Sequence, residues 1–142
     1  EPHMPLKAYK NMNAYKLFVL DVGLLGAMSE LPAESILEGN DIFVEFKGAL
    51  TEQYVLQQLI SDTPYTPYYY GNEKATFEQD FLIQKAKSIV PIEVKAEQNI
   101  RSHSLKTYCE KFQPEEAVRF STLKYKEQER MVNIPLYAVC NL

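Results

Sequence analysis

The sequence predicts an α/β fold, in the mixed α+β sense, with a mixed central sheet flanked by helices. Three observations lead to this prediction: one long helical segment, three short extended runs directly after it, and then a second amphipathic helix followed by another strand. The predicted order is α-β-β-β-α-β. A chain of 142 residues with 46% hydrophobic content suits one domain over residues 1–142, with its core at about 41–122.

The segment before the core predicts one strand and one helix, within about residues 15–32. Residues 16–21 form a short run rich in strand-forming side chains. Residues 22–31 have the composition of a short helix that ends before Pro32, because proline cannot continue a helix.

Residues 41–60 form the longest periodic segment, with Asn40 or Asp41 as its N-cap and Pro64 beyond its end. Small or apolar residues recur at helical spacing on one side of this helix, and Glu52 lies among them. These neighbours are Gly48, Ala49, Val55, Leu56 and Leu59. We therefore expect the Glu52 carboxylate to face inward.

The next three runs, at residues 67–70, 76–84 and 88–95, predict a three-stranded antiparallel meander. Strand alternation predicts one face of the second strand with Glu78, Asp80 and Leu82, and the other with Phe77, Gln79 and Phe81. In the third strand, Glu93 and Lys95 share a face with Ile89 and Pro91. The hairpin is therefore expected to bring Asp80 beside Glu93 and Lys95.

The C-terminal part predicts a helix at residues 102–112 and a strand at residues 116–121. The helix would turn Leu105, Tyr108, Cys109 and Phe112 inward. Residues 123–130 are strongly charged and are expected on the surface. A last strand is expected at about residues 132–139, with Pro135 at a sheet edge because proline has no N–H to donate.

Charge and cysteine usage exclude several classes of protein. With 19 acidic and 15 basic residues the net charge is −4, which disfavours a protein that simply coats nucleic acid. The excess of acidic residues lies in residues 20–84, which hold 11 acidic and 2 basic residues, whereas residues 85–142 hold 7 acidic and 10 basic residues. Cys109 and Cys140 show neither a disulfide nor a zinc pattern, and no apolar run has membrane-spanning length. The sequence favours a cytoplasmic protein.

The predicted strands carry the residues with the greatest chemical interest. Carboxylates in an otherwise apolar strand cost desolvation free energy, and a divalent cation with a lysine would compensate a pair of them. The alternative for Glu93-Val94-Lys95 is an ordinary surface ion pair. The order of an inward helix Glu, a strand Asp, a hairpin return to Glu-x-Lys, a helix and a strand is that of the PD-(D/E)XK nuclease core.

The residues from Phe46 to Val55, from Glu78 to Phe81 and from Pro91 to Lys95 give the chain a family resemblance. It resembles the restriction-endonuclease-like domain of unknown function that follows an AAA-type ATPase module in predicted bacterial and archaeal ATPases. The opening residues 15–25 and the closing residues 134–137 fit the same pattern. This resemblance implies a restriction-endonuclease-like core and a chain that is the C-terminal part of a longer ATPase.

The resemblance also implies site residues. Glu52, Asp80, Glu93 and Lys95 would be catalytic, with Asp80, Glu93 and Glu52 as ligands of Mg²⁺ or Mn²⁺ if the site is active. The Val94 carbonyl is a further expected ligand. The chain departs from the family pattern at Gln79, where the family often has Val, and at Gln58, where a second helix acid is often seen.

DNA or RNA is the expected substrate of an active site, with contacts from Arg101, His103 and Lys106 near the start of the following helix. An exposed helix position is the alternative for His103. Residues 68–70 are three tyrosines, which suit either strand and core packing or a base-stacking platform. Two functions stay open: a metal-dependent phosphodiesterase, and a catalytically silent module that recognises a partner or oligomerises for the ATPase. The chain itself has no phosphate-binding loop of an ATPase.

Overall fold

The computed structural model of the chain describes residues 2–71, 77–96 and 103–142. In these ranges six strands form one mixed sheet with helices packed against it, which confirms the predicted α/β class. The spatial order of the strands is β1-β2-β3-β4-β6-β5. The strands are β1 (Tyr68–Gly71), β2 (Glu78–Lys85), β3 (Ser88–Lys95), β4 (Ala117–Ser121), β5 (Lys126–Gln128) and β6 (Met131–Pro135).

The sheet combines two antiparallel parts around a parallel centre. β1, β2 and β3 pair antiparallel, as the predicted meander requires. β4 lies parallel to β3, after a crossover that contains a helix, and β6 lies parallel to β4. β5 and β6 close the far edge as an antiparallel pair. The carboxyl end of β3 therefore lies beside the carboxyl end of β4.

Four α-helices accompany the sheet in the described ranges: α1 (Val22–Met28), α2 (Ala33–Glu38), α3 (Asp41–Asp62) and α4 (His103–Phe112). Short 3-10 segments occur at Leu6–Ala8 and Leu136–Asn141. The predicted cap is confirmed at Asn40, whose side chain accepts a hydrogen bond from the Phe43 N–H at 3.3 Å. No helix in the described part of the chain is both long and apolar enough to cross a bilayer.

The core lies on both faces of the sheet. On one face, Val55 and Leu59 of α3 pack with Val90 and Ile92 of β3. On the other face, Tyr108 of α4 packs with apolar side chains that include Phe77 and Leu82 of the second strand region. Since Val90 and Ile92 alternate with Pro91 and Glu93, the α3 face of β3 is apolar, and Glu93 belongs to the α4 face.

The predicted strand at residues 16–21 is wrong, because these residues are irregular. Their backbone is bound by a side chain of α3 and has no neighbouring strand: Val19 donates its N–H to Gln53 Oε1 at 3.0 Å, and Gln53 Nε2 donates to the Val19 carbonyl at 2.9 Å. Composition alone cannot reveal this difference, since an extended segment satisfied by an amide side chain has the same residue preferences as a strand.

The predicted last strand is too long, and the strand begins and ends earlier than expected. β6 ends at Pro135, where the missing N–H ends the ladder, and a 3-10 segment follows. The charged stretch before it is exposed, as predicted, but it contains the edge strand β5. The helix α2 was not predicted from the sequence.

Two predicted faces need correction. Phe77 and Phe81 belong to opposite apolar clusters, because β2 has one extra residue between the partners of Tyr68 and Tyr70. This bulge shifts the alternation of the strand at Asp80 and Phe81. On α3, the predicted stripe is buried at Val55 and Leu59, whereas Gly48 and Ala49 are exposed and Gln53 is buried instead.

Candidate functional site

Asp80 and the third strand meet through a backbone hydrogen bond. The half-buried Asp80 lies in β2 near the bulge, and its Oδ2 accepts a hydrogen bond from the Val94 N–H at 2.7 Å. Val94 is the residue between Glu93 and Lys95. Asp80 therefore contacts the Glu-x-Lys segment directly, through this hydrogen bond.

Glu93 is buried, with only 3% of its surface exposed, and both of its carboxylate oxygens have partners. Lys95 Nζ lies 2.6 Å from Oε1, and Gln79 Nε2 donates to Oε2 at 3.2 Å. Gln79 Nε2 also donates to the Ile92 carbonyl at 2.7 Å. Strand alternation predicts Gln79 on the face away from Asp80 and Glu93, but its amide contacts the Glu93 carboxylate.

Glu52 enters the same region from α3, but with a partner that the sequence did not suggest. Lys16 Nζ donates to Glu52 Oε1 at 2.8 Å, and both side chains are about three-quarters buried. Lys16 lies in the irregular N-terminal segment, 36 positions from Glu52. No local sequence signal indicates a contact across such a separation.

Burial and the neighbouring charges change the protonation of this group of residues. Burial, then the negative charge of Glu93 and more weakly that of Glu52, raise the pKa of Asp80 to about 7, although the Val94 N–H opposes the shift. Burial lowers the pKa of Lys16, but its hydrogen bond and charge interaction with Glu52 outweigh that cost, and the net pKa lies above the ordinary value. The carboxylates are thus close enough to repel one another.

A row of buried polar side chains continues from Glu93 across the sheet. Arg119 of β4 is the register partner of Glu93, and burial lowers its pKa while the Glu93 charge raises it. Arg119 Nε and Ser121 Oγ both donate to Asn133 Oδ1, at 2.9 Å and 2.8 Å. This row was not predicted. A signal existed, because Arg119 and Asn133 each stand between two apolar residues of their strands.

The residues predicted to bind nucleic acid lie elsewhere or outside the described chain. His103 and Lys106 are exposed on the first turns of α4, and Lys106 lies 3.7 Å from Glu110 in an i,i+4 ion pair. No contact between either of them and Asp80 or Glu93 is present in the described ranges. Arg101 lies outside the described residues. Cys109 and Cys140 are both free thiols.

Comparison with known protein families adds one finding to this geometry. Residues 47–139 match the family described as a domain of unknown function (DUF4143), which is more than half of the chain. The chain belongs to this family. The DUF4143 segment contains Glu52, Asp80, Glu93 and Lys95, whereas Lys16 precedes it. Neither a search of curated proteins nor a search of solved structures returned a match.

Within the described residues of this DUF4143 protein, no group of three or more His, Cys, Asp or Glu side chains could hold a metal ion. Glu52, Asp80 and Glu93 therefore do not form a ready three-carboxylate cage. The Oε1 atom of Gln79 is buried and has no hydrogen-bond partner among the described atoms. An unpaired buried oxygen beside two carboxylates needs a donor, and a bound water or hydrated ion would supply one.

Proposed function

We propose that this domain is a metal-dependent phosphodiesterase of the PD-(D/E)XK type that acts on nucleic acid. One observation carries the proposal: Asp80 binds the backbone N–H of Val94, between Glu93 and Lys95. This contact gathers two acids and one lysine at one end of a hairpin. The resemblance of the sequence to a restriction-endonuclease-like domain attached to an AAA-type ATPase supports the same function, and attachment to such an ATPase is part of the proposal.

The residues fit a small hard cation such as Mg²⁺ or Mn²⁺. Asp80 and Glu93 offer carboxylate oxygens, which these ions prefer, and the Val94 carbonyl would add a third oxygen. Mg²⁺ commonly uses one or two carboxylates and keeps several of its waters, so a three-carboxylate cage is not required. Burial and, after it, the negative charge of Glu93 raise the pKa of Asp80, and a cation would relieve both effects. The unpaired Gln79 Oε1 supports a hydrated ion.

Each side chain has a role that follows from its chemistry. When bound, the cation would supply Lewis-acid stabilisation of the negative charge on the phosphate. Lys95 is paired with the Glu93 carboxylate and would donate hydrogen bonds to the attacking water or to a phosphate oxygen. Gln79 holds Glu93 Oε2 and thereby orients that carboxylate. Lys16 holds Glu52 in the same way.

The overall reaction is the addition of water across one P–O bond. The water oxygen forms a bond to phosphorus, and the bond from phosphorus to the leaving oxygen breaks. One proton leaves the attacking water, and one proton joins the leaving oxygen or the product phosphate. The reaction needs no oxidant and no reactant other than the phosphodiester and water.

A second candidate function is a catalytically silent module that recognises a partner or oligomerises. The specific observation in its favour is that each acid already has a partner within the chain. Glu52 has Lys16, Glu93 has Lys95 and Gln79, and Asp80 has the Val94 N–H. A site neutralised in this way would be stable without any ion.

Calorimetric titration with Mn²⁺ at pH 8, together with cleavage of fluorescent DNA and RNA oligonucleotides, separates the two candidates. The phosphodiesterase predicts one Mn²⁺ per chain and metal-dependent cleavage, both lost in Asp80→Asn. Lys95→Met should retain the ion and lose cleavage. The Lys85–Glu116 ion pair, at 3.3 Å, offers a control: Lys85 ends β2 as Lys95 ends β3, and their side chains are similarly exposed, 35% against 31%.

Lys85→Met should therefore leave both binding and cleavage unchanged. Folded wild-type protein that binds no Mn²⁺ and cleaves none of the oligonucleotides would overturn the phosphodiesterase and favour the silent module. Cleavage that Lys85→Met abolishes as completely as Lys95→Met would also count against the assignment of the site.

A further inference from the structure

A groove of about 920 Å³ opens between the N-terminal segment, the end of α3 and the segment that leads into β1. We call it the tyrosine groove, because six of the ten tyrosines of the chain line it. These are Tyr9, Tyr15, Tyr65, Tyr68, Tyr69 and Tyr70. Such a concentration of one aromatic residue type suggests a surface that receives flat, partly polar groups.

The three consecutive tyrosines of β1 divide between two roles. Tyr68 and Tyr70 pack into the core on the α4 side, where the Tyr70 ring lies 5.8 Å from that of Tyr108. The core-packing interpretation is thus confirmed for these two. Tyr69 alternates with them and is half-buried. The Lys16 Nζ atom lies over the Tyr69 ring, 5.8 Å from the ring centroid. Tyr69 is the member of the three that core packing does not account for.

The groove has a charge opposite to that of the whole chain. Lys10 and Lys16 line it, and the described lining residues include neither Asp nor Glu. The chain as a whole has 19 acidic residues and a net charge of −4. Lys16 is paired with Glu52, so it is the exposed Lys10 that favours a negatively charged ligand in the groove.

The groove lies next to the proposed catalytic site. Phe81 lines it and follows Asp80 directly in β2. Tyr69 lies between the residues that pair with Gln79 and Leu82, and so stands across from the bulge that contains Asp80. Lys16 contacts both Tyr69 and Glu52. The described lining does not include Glu52, Asp80 or Glu93, so a strand bound in the groove would have to extend past Lys16 and Phe81 to reach them.

We propose that the tyrosine groove binds single-stranded nucleic acid and delivers it to Asp80 and Glu93. This inference rests on the proposed phosphodiesterase function. Bases would stack on Tyr69 and on Tyr15, which is 71% exposed, and phosphates would lie against the exposed Lys10. A duplex keeps its bases stacked inside, so aromatic side chains select an unpaired strand.

Binding of fluorescein-labelled 12-nucleotide oligo(dT) and oligo(U), followed by anisotropy at low salt in EDTA, tests the groove apart from any cleavage. Loss of one stacked base is expected to weaken binding by between about fivefold and 150-fold in Tyr69→Ala. Tyr69→Phe should bind like wild type, because the ring stays. Tyr137→Ala is the matched control, since Tyr137 is 82% exposed and lies outside the groove. Comparison of the two oligonucleotides separates DNA from RNA preference.

A second variant tests the same proposal in case Tyr69→Ala disturbs the fold. Lys10 is exposed, so Lys10→Glu should leave the unfolding transition unchanged and weaken binding by about tenfold through phosphate repulsion. The chain contains no tryptophan, so quenching of tyrosine emission on binding reports stacking directly. Binding unaffected by both variants, or equal affinity for the single strand and its duplex, would overturn the proposal.

Hydrolysis of the small diester bis(4-nitrophenyl) phosphate distinguishes failure of this inference from failure of the proposed function. The small diester is too short to occupy the groove, so its hydrolysis by the wild type and by Asp80→Asn reports on the catalytic site without oligonucleotide binding. Hydrolysis that depends on Asp80 without oligonucleotide binding overturns the groove alone. Tyr69-dependent binding in a protein that hydrolyses neither substrate supports the groove and overturns the phosphodiesterase.

Discussion

Asp80→Asn should make the stability of this protein less sensitive to pH, and the expected size follows from the surroundings of the carboxyl group. Its pKa rises from 3.8 to about 7 in the folded state, mainly by burial and secondly by the charge of Glu93. The folded protein therefore holds this proton more tightly than the unfolded chain does. As pH rises from about 4 to about 7, the free energy of unfolding of the wild type falls, and above that range this contribution levels off.

The magnitude is about 1.4 kcal/mol per pKa unit, so a shift of about three units corresponds to at most about 4 kcal/mol. Local relaxation and water entry reduce this value, and about 2–4 kcal/mol is the expected range. Asparagine has nearly the same shape and can still accept the Val94 N–H through its carbonyl oxygen. It stays neutral at every pH. The stability advantage of Asp80→Asn over wild type should therefore grow between pH 4 and pH 8.

Urea unfolding at pH 4.5, 5.5, 6.5 and 8, without divalent cations, measures this advantage. The amide itself changes the free energy of unfolding by the same amount at every pH. This constant contribution cancels when the difference between Asp80→Asn and wild type is compared among the four pH values. Asp62→Asn is the control, because Asp62 is an exposed carboxylate at the end of α3. A difference between wild type and Asp80→Asn that stays constant over this pH range would refute the reasoning about burial and repulsion.

Three further substitutions test how the site is supported, each by urea unfolding. Gln53→Ala removes both hydrogen bonds to Val19 and should lower the free energy of unfolding by about 2 kcal/mol. A protease should also cut the segment before α1 sooner than in wild type, and an unchanged rate of cutting would contradict the role of Gln53 in holding that segment. Asn133→Ala leaves buried Arg119 and Ser121 without their shared acceptor and should cost about 2–4 kcal/mol, whereas a loss below 0.5 kcal/mol would mean that the row is hydrated. Leu59→Ala empties a fully buried position and should cost about 2–5 kcal/mol; a smaller loss would indicate that the core closes around the cavity.

Local sequence patterns predicted the central elements closely. The predicted bounds of β3 are those observed, and α3 begins at Asp41 as its cap and periodicity require. These elements carry their own signals: a cap residue, a 3.6-residue period, or a run of strand-forming side chains between turns. The hairpin also made it possible to predict that Asp80 meets the Glu-x-Lys segment, because an antiparallel turn restricts the register of the two strands.

Errors arose where a distant partner decides the local structure. The segment at residues 16–21 has strand composition, yet the Gln53 side chain binds its backbone, so no ladder forms. The faces of β2 depend on a bulge that the pairing with β1 imposes. Neither the Gln53 contact nor the bulge leaves a mark in the local sequence, because both depend on residues nine or more positions away.

The same distinction applies to the candidate site. The α/β class and the presence of two acids and a lysine on neighbouring strands follow from periodicity and chain order alone. The pairing of Lys16 with Glu52, the hold of Gln79 on Glu93, and the place of Tyr69 in a groove whose described lining has no carboxylate become visible only in the packed chain. Burial and distance determine electrostatic energies, and both become defined only when the N-terminal segment, α3 and the sheet pack together.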